Sequence, residues 1–112
     1  MIEGIHLTPI GDGNVLLEPG EGLDPSNPGA LVAPVLEFLQ CNEARRLVYD
    51  LKSVRLIDEV YYSWLVKLDA TCRIANVEMV VVNMQPAAAY ALSLTLDKTP
   101  PFSCALNIHH LR

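Results

Sequence analysis

Apolar and polar residues change their period along this chain often enough to mark eight segments. The opening runs "GIHLTPI" and "NVLLEP" are extended and flank the turn "GDG". Asp12-Gly13 is a hairpin signal, because glycine accepts the positive φ that such turns demand, so a β-hairpin is expected at the start. Residues 19–28, "PGEGLDPSNP", make a loop by their proline and glycine content. In "GALVAPVLEFLQCN", Leu31, Val35, Leu36 and Leu39 fall at helical spacing, with Asn27 placed as N-cap and Pro28 in the first helical position. Pro34 conflicts with that helix. It has no N–H for the carbonyl four residues back, which predicts either a start near Ala33 or a kink in the second turn.

In "RRLVYDLKSVRLI", the unbroken run Leu47, Val48 and Tyr49 has the pattern of a strand buried on both faces. The clearest helix follows in "DEVYYSWLVKLDATCRIA". There Val60, Tyr61, Trp64, Leu65, Leu68 and Cys72 share one face, and Ser63, Lys67, Asp69 and Arg73 lie outside it. "EMVVVN" is a second buried strand, and "MQPAAAYALSLTL" is a helix with Pro86 near its first position. "DKTPP" then stops the helix and "FSCALNI" returns as a final strand. The order β-β-α-β-α-β-α-β predicts an α/β fold, with a mixed, mostly parallel sheet flanked by helices.

At 112 residues the chain is expected to form one domain, residues 1–112. Apolar residues are 51% and charged residues 19%, with a mean hydropathy of +0.26. That leaves more apolar surface than a solitary monomer usually exposes, which predicts a partner and a homo- or hetero-oligomer. A net charge of −5 and scattered basic residues argue against nucleic acid as that partner. Arg45 and Arg46 are adjacent only as a loop flanking a strand. The N-terminus lacks the pattern of a secretion signal, and no apolar run is long enough to span a bilayer, so a cytoplasmic location without membrane attachment is expected. Cys41, Cys72 and Cys104 are too widely spaced for a zinc site and read as reduced thiols.

The joint between the first buried strand and the clear helix holds two adjacent acids, Asp58 and Glu59. Asp58 stands where an N-cap belongs, and Glu59 places a second charge at the positive end of the helix dipole. Stability alone accounts for both. The frame from "LVYDLKSVRLID" through "VEMVVVNMQPAAAYAL" also resembles the STAS domain family, the fold of bacterial anti-sigma-factor antagonists, and within it the small scaffold proteins of the stressosome. The likeness extends over most of residues 3 to 108. It implies a Ser or Thr directly after the Asp at the helix start, phosphorylated by a switch protein kinase. Glu59 occupies that phosphoacceptor position here, and a carboxylate has no hydroxyl to phosphorylate. Glu59 then either imitates the phosphorylated state, with about −1 charge against about −1.5 to −2 for phosphoserine, or marks loss of the switch. Asn76 and Asn83 stand where the resemblance leads one to expect Gly, and asparagine tolerates the left-handed conformation better than most residues.

The resemblance implies a non-enzymatic regulatory or scaffold protein. Its partners would be STAS-domain paralogues and a switch protein kinase or anti-sigma factor. The predicted contact surface is the joint with the outer side of the helix after it: Asp58, Glu59, Tyr62, Ser63, Val66, Lys67 and Asp69. Tyr61 and Trp64 are expected in the core, with Tyr62 balanced between packing and contact. Ser63, Ser53, Ser93 and Thr95 are the other hydroxyls near the joint, and Ser63 is the one to test. No catalytic set, metal site or cofactor is expected: the adjacent His109 and His110 would point to opposite faces of a strand, His6 is a strand residue, and "GDGNVLLEPGEG" lacks the Lys of a phosphate loop. Cys72 is expected to be buried and inert. Two alternatives stay open, an accessory subunit of a transporter or lipid-trafficking complex and a sensor of a small ligand or nucleotide.

Overall fold

The computed structural model describes residues 4–95 and 101–105. His109, His110 and residues 97–100 of the "DKTPP" segment lie outside them, as do residues 106–108 of the last predicted strand. The hairpin forms as strands β1 (Ile5–Gly11) and β2 (Asn14–Pro19), paired antiparallel. Asp12 and Gly13 turn the chain with φ of 56° and 79°, the two positive values that a two-residue hairpin turn of the right twist requires. After the loop, helix α1 (Pro28–Cys41) leads to β3 (Arg46–Asp50), helix α2 (Glu59–Ile74), β4 (Glu78–Val82), helix α3 (Pro86–Thr95) and β5 (Ser103–Ala105). The strands stand in the order β1-β2-β3-β4-β5, and every pair from β2 onward is parallel.

Alternation along the central strands divides the core. Val15, Leu17, Leu47, Tyr49, Met79 and Val81 belong to one cluster with Leu31, Val35 and Leu39 of α1 and Trp64, Leu65, Leu68 and Cys72 of α2. Their neighbours Val48, Val80 and Val82 form a second cluster with Leu16 packed against it. Successive strand residues point to opposite faces, so both faces of β3 and β4 are buried, as the unbroken apolar runs predicted.

The expectations for α1 need correction. The helix begins at Pro28 and runs through Pro34, so a start near Ala33 does not occur. Pro34 leaves the Ala30 carbonyl without its helical donor, but Ala30 is exposed, and water can reach that group. Asn27 holds the N-cap position without a capping bond from its side chain, and Leu36 is only half-buried. At the far end of α2, Asn76 takes φ 65°. The Val77 N–H donates to the Cys72 carbonyl at 2.8 Å and the Asn76 N–H to the Arg73 carbonyl at 3.1 Å. That pair of bonds closes a helix on a left-handed residue, and asparagine serves there in place of glycine. Asn83 is likewise left-handed, with φ 59°.

Candidate functional site

The acidic joint sits beyond the carboxyl end of β3, where the chain leaves the sheet to start α2. Ile57 is buried and anchors the approach. Asp58 is extended (φ −87°, ψ −176°), and its Oδ1 accepts from the Tyr61 N–H at 2.8 Å. Its carbonyl accepts the Tyr62 N–H at 2.9 Å. The side chain thus satisfies one of the first-turn donors that a helix leaves open. Glu59 begins the helix and is exposed. It is flanked by two exposed aliphatic side chains, Leu56 at 64% and Val60 at 46% of full exposure. Sequence periodicity put Val60 on the buried face. The buried residues of α2 begin only at Trp64, however, and in the first turn it is the half-buried Tyr61 and Tyr62 that pack against the core.

The predicted contact residues divide into three groups. Asp58, Glu59, Ser63 and Lys67 are exposed, and the last three repeat every four residues along one stripe of the helix. Tyr62 and Val66 are half-buried. Tyr62 sets its ring 6.0 Å from that of Phe102, and Val66 packs against the core. Asp69 is buried where the others are exposed or half-buried: it is 4% exposed, and its Oδ2 meets the Arg73 Nε at 3.0 Å. Burial raises its carboxyl above the usual range, against the opposing pull of Arg73. Asp69 stands four residues after Leu65 and three before Cys72, which is a buried-face position. Its charge had argued for the outside, and its spacing decided otherwise.

At the start of the loop that leads to the joint lies a polar network that sequence reasoning missed. Asp50, the last residue of β3, is buried, and its Oδ1 accepts from the Lys52 N–H at 2.9 Å and the Asn83 Nδ2 at 3.1 Å. Lys52 Nζ lies 3.5 Å from Asp50 Oδ2 and 3.6 Å from Glu18 Oε2. Gln85 Nε2 donates to the Lys52 carbonyl at 2.8 Å, and Ser53 Oγ to the Pro19 carbonyl at 3.3 Å. These bonds tie the loop between β3 and α2 to the carboxyl ends of β2 and β4. The one signal in the sequence was an acid closing an otherwise apolar strand, "LVYD".

The aromatic residues lie on the core side of the joint. Trp64 Nε1 donates to Tyr49 Oη at 2.9 Å, and Tyr49 Oη lies 2.7 Å from Tyr61 Oη. Burial pushes the Tyr49 phenol up to about 12. The Tyr61 phenol is raised by burial and then by Tyr49 beside it. Cys72 is buried, its thiol pushed up to about 12 by burial, then by Asp69, which agrees with the inert role expected of it. Among the described residues no three His, Cys, Asp or Glu side chains come together as a metal site, and no helix is long and apolar enough to cross a membrane. Ser53 is exposed, while the side chains of Ser93 and Thr95 lie outside the described residues.

Solved structures repeat this architecture. A Moorella thermoacetica RsbS variant, in which a serine is replaced by glutamate, is 19% identical, with 93% of this chain and 90% of that chain covered at a TM-score of 0.77. A chain from the stressosome, a signal integration and transduction hub, is 16% identical over the same shares, also at 0.77. A Thermotoga maritima protein described as an anti-sigma factor antagonist is 19% identical, covering 96% of this chain and 90% of that one at 0.70. At these identities the likeness is one of fold. No curated protein sequence matches the chain significantly. The model of the STAS domain does match, over residues 7–98, and the chain belongs to the STAS domain family.

Proposed function

We propose that this protein is a non-enzymatic STAS-domain regulator or scaffold, of the stressosome or anti-sigma-factor-antagonist type, that works by binding other proteins from the acidic joint. One observation carries the reading: Glu59 stands exposed on the first turn of α2, directly after the capping Asp58, with Leu56 and Val60 beside it. Glu59 is the phosphoacceptor-equivalent residue in this reading, so a kinase finds no hydroxyl there. The contact surface is Asp58, Glu59, Tyr62, Ser63, Val66 and Lys67, without Asp69. The partners are STAS-domain paralogues and a switch protein kinase or anti-sigma factor, in the cytoplasm. Residues 1–112 act as one domain, without cofactor, metal or nucleic acid. The joint's negative charge favours a basic partner surface and opposes an acidic one.

The test mixes the protein with a STAS paralogue and kinase encoded by neighbouring genes, on size-exclusion chromatography with light scattering. Intact mass is read after incubation with kinase and ATP. Wild type is expected to assemble into a large particle and take up no phosphate, while Glu59→Ser gains one phosphate and Glu59→Ala none. A wild-type protein that stays small with every partner, or that is phosphorylated on Ser63, contradicts the reading.

One observation favours a second reading, a small-ligand sensor. A cleft of about 420 Å³ opens at the other end of α2, lined by Arg45, Asp69, Arg73, Asn76, Glu78 and Ser103 among others. Saturable thermal stabilisation by a ligand, abolished by Arg45→Ala, would support that reading.

A further inference from the structure

Tyr61 is held at two points. Its backbone N–H goes to the Asp58 carboxylate and its phenol oxygen to Tyr49, which in turn receives the Trp64 indole. The bonds have a direction. An indole N–H only donates, so Tyr49 Oη accepts from Trp64. Tyr49 is fully buried, and its own hydroxyl hydrogen needs an acceptor. Among the described residues the one oxygen bonded to it is that of Tyr61, so the chain runs from Trp64 to Tyr49 to Tyr61. The half-buried Tyr61 keeps a hydroxyl hydrogen for the outer side.

We infer that this chain is a latch that fixes the first turn of α2 on β3, and that Tyr61 is the positioning residue of the acidic joint. The first turn needs such a device. Of its other side chains, Glu59 and Val60 are exposed, Tyr62 is half-buried with its ring near that of Phe102, and full burial begins only at Trp64. Without the Tyr61 phenol oxygen, the turn that carries Glu59 keeps the Asp58 cap, its own backbone and the packing of the Tyr61 and Tyr62 rings, but has no side-chain hydrogen bond to β3 among the described residues. Hydrogen bonds buried on one side and backed by a rigid strand hold a direction in which exposed contacts would yield. The use of the latch in partner binding rests on the function proposed above, but the latch itself does not.

The test compares wild type, Tyr61→Phe and Tyr49→Phe, which change one oxygen each and leave ring volume alone. Amide hydrogen exchange is followed residue by residue by NMR. The chain's one tryptophan makes the Trp64 indole N–H a single, assignable resonance. Tyr61→Phe is expected to speed exchange of the Tyr61 and Tyr62 amides about tenfold, while amides from Leu65 to Cys72 stay as in wild type. The indole resonance should move slightly in Tyr61→Phe, where its acceptor remains, and strongly in Tyr49→Phe, where it is lost. Unchanged exchange at Tyr61 and Tyr62, or an even rise along the whole of α2, overturns the latch. With a partner that binds wild type, Tyr61→Phe should weaken association about tenfold at a temperature well below its lowered Tm, where the variant is still folded, and equal affinity there overturns the positioning role. If wild type binds no partner, the proposed function has failed, and the exchange and indole data still decide the latch.

Discussion

The two ends of α2 handle negative charge in opposite ways. At its start, Asp58 and Glu59 stay in water, Asp58 bonded to the Tyr61 N–H and Glu59 near the positive end of the helix dipole. Near its far end, Asp69 is taken out of water, paired with a mostly exposed Arg73 and raised toward the protonated form. The comparison teaches that an acid is available to a partner where the backbone has already satisfied it and the core does not reach it. Asp69 meets neither condition, since its carboxylate is engaged by a side chain, Arg73, and is itself buried.

The contrast can be broken most severely between the two ends. Trp64→Ala removes the side chain that packs the middle of the helix and donates to Tyr49. It should cost about 3–5 kcal/mol in urea unfolding, and both ends would then lose their frame. Arg73→Ala leaves Asp69 buried without its ion pair and frees the Pro101 carbonyl that Arg73 also engages. A loss of about 1–2 kcal/mol is expected at neutral pH, less than for a fully buried pair because Arg73 is largely exposed.

The pH dependence of that loss has a definite sign. Folding raises the Asp69 carboxyl above its ordinary value of 3.8, so the folded chain holds this proton more tightly than the unfolded one. Stability from this residue is full below 3.8 and falls as pH rises through the folded value. Without Arg73 the folded value rises further, and the defect should shrink on acidification. Thermal melts of both proteins across this range check it, and an equal defect at every pH would dissociate Asp69 from the effect.

Smaller changes sharpen the other end. Asp58→Ala removes the cap and should cost about 1 kcal/mol, read from the urea midpoint at unchanged slope. Glu59→Gln should change stability by less than about 0.5 kcal/mol, yet alter partner association and its salt dependence if Glu59 faces a basic surface. A stability loss from Glu59→Gln as large as that from Asp58→Ala would mean that Glu59 serves the helix and not a partner.

Much of this was legible in the sequence, for identifiable reasons. The hairpin was readable because Asp12-Gly13 meets a backbone demand that few residue pairs meet, and the cap because Asp58 precedes an apolar face of helical period. The left-handed asparagines were readable through the family resemblance, which put glycine at positions 76 and 83. Asp69 was misplaced because residue type was weighed above position, when its spacing from Leu65 and Cys72 already put it on the buried side. Val60 was misplaced for the converse reason: periodicity says which face a residue shares, not how far the layer beneath that face extends. The bond between Asp50 and Asn83 was invisible because it joins residues 33 apart in the chain. Pro34 looked like a boundary because local rules cannot tell that Ala30, whose carbonyl it leaves without a helical donor, is exposed.

The strand order has a consequence for how the sheet is made. Each strand lies beside its predecessor in the chain, so no strand has to be inserted between two already in place. A polypeptide emerging from its N-terminus can add strands one after another at a single growing edge. The unfinished sheet then offers one unpaired edge at a time on that side, and the next segment synthesised is the one that covers it. The opposite edge, β1, is broken early by Pro9 and the irregular register between Pro9 and Gly11, which discourages a stranger's strand from docking there while the rest is still being made.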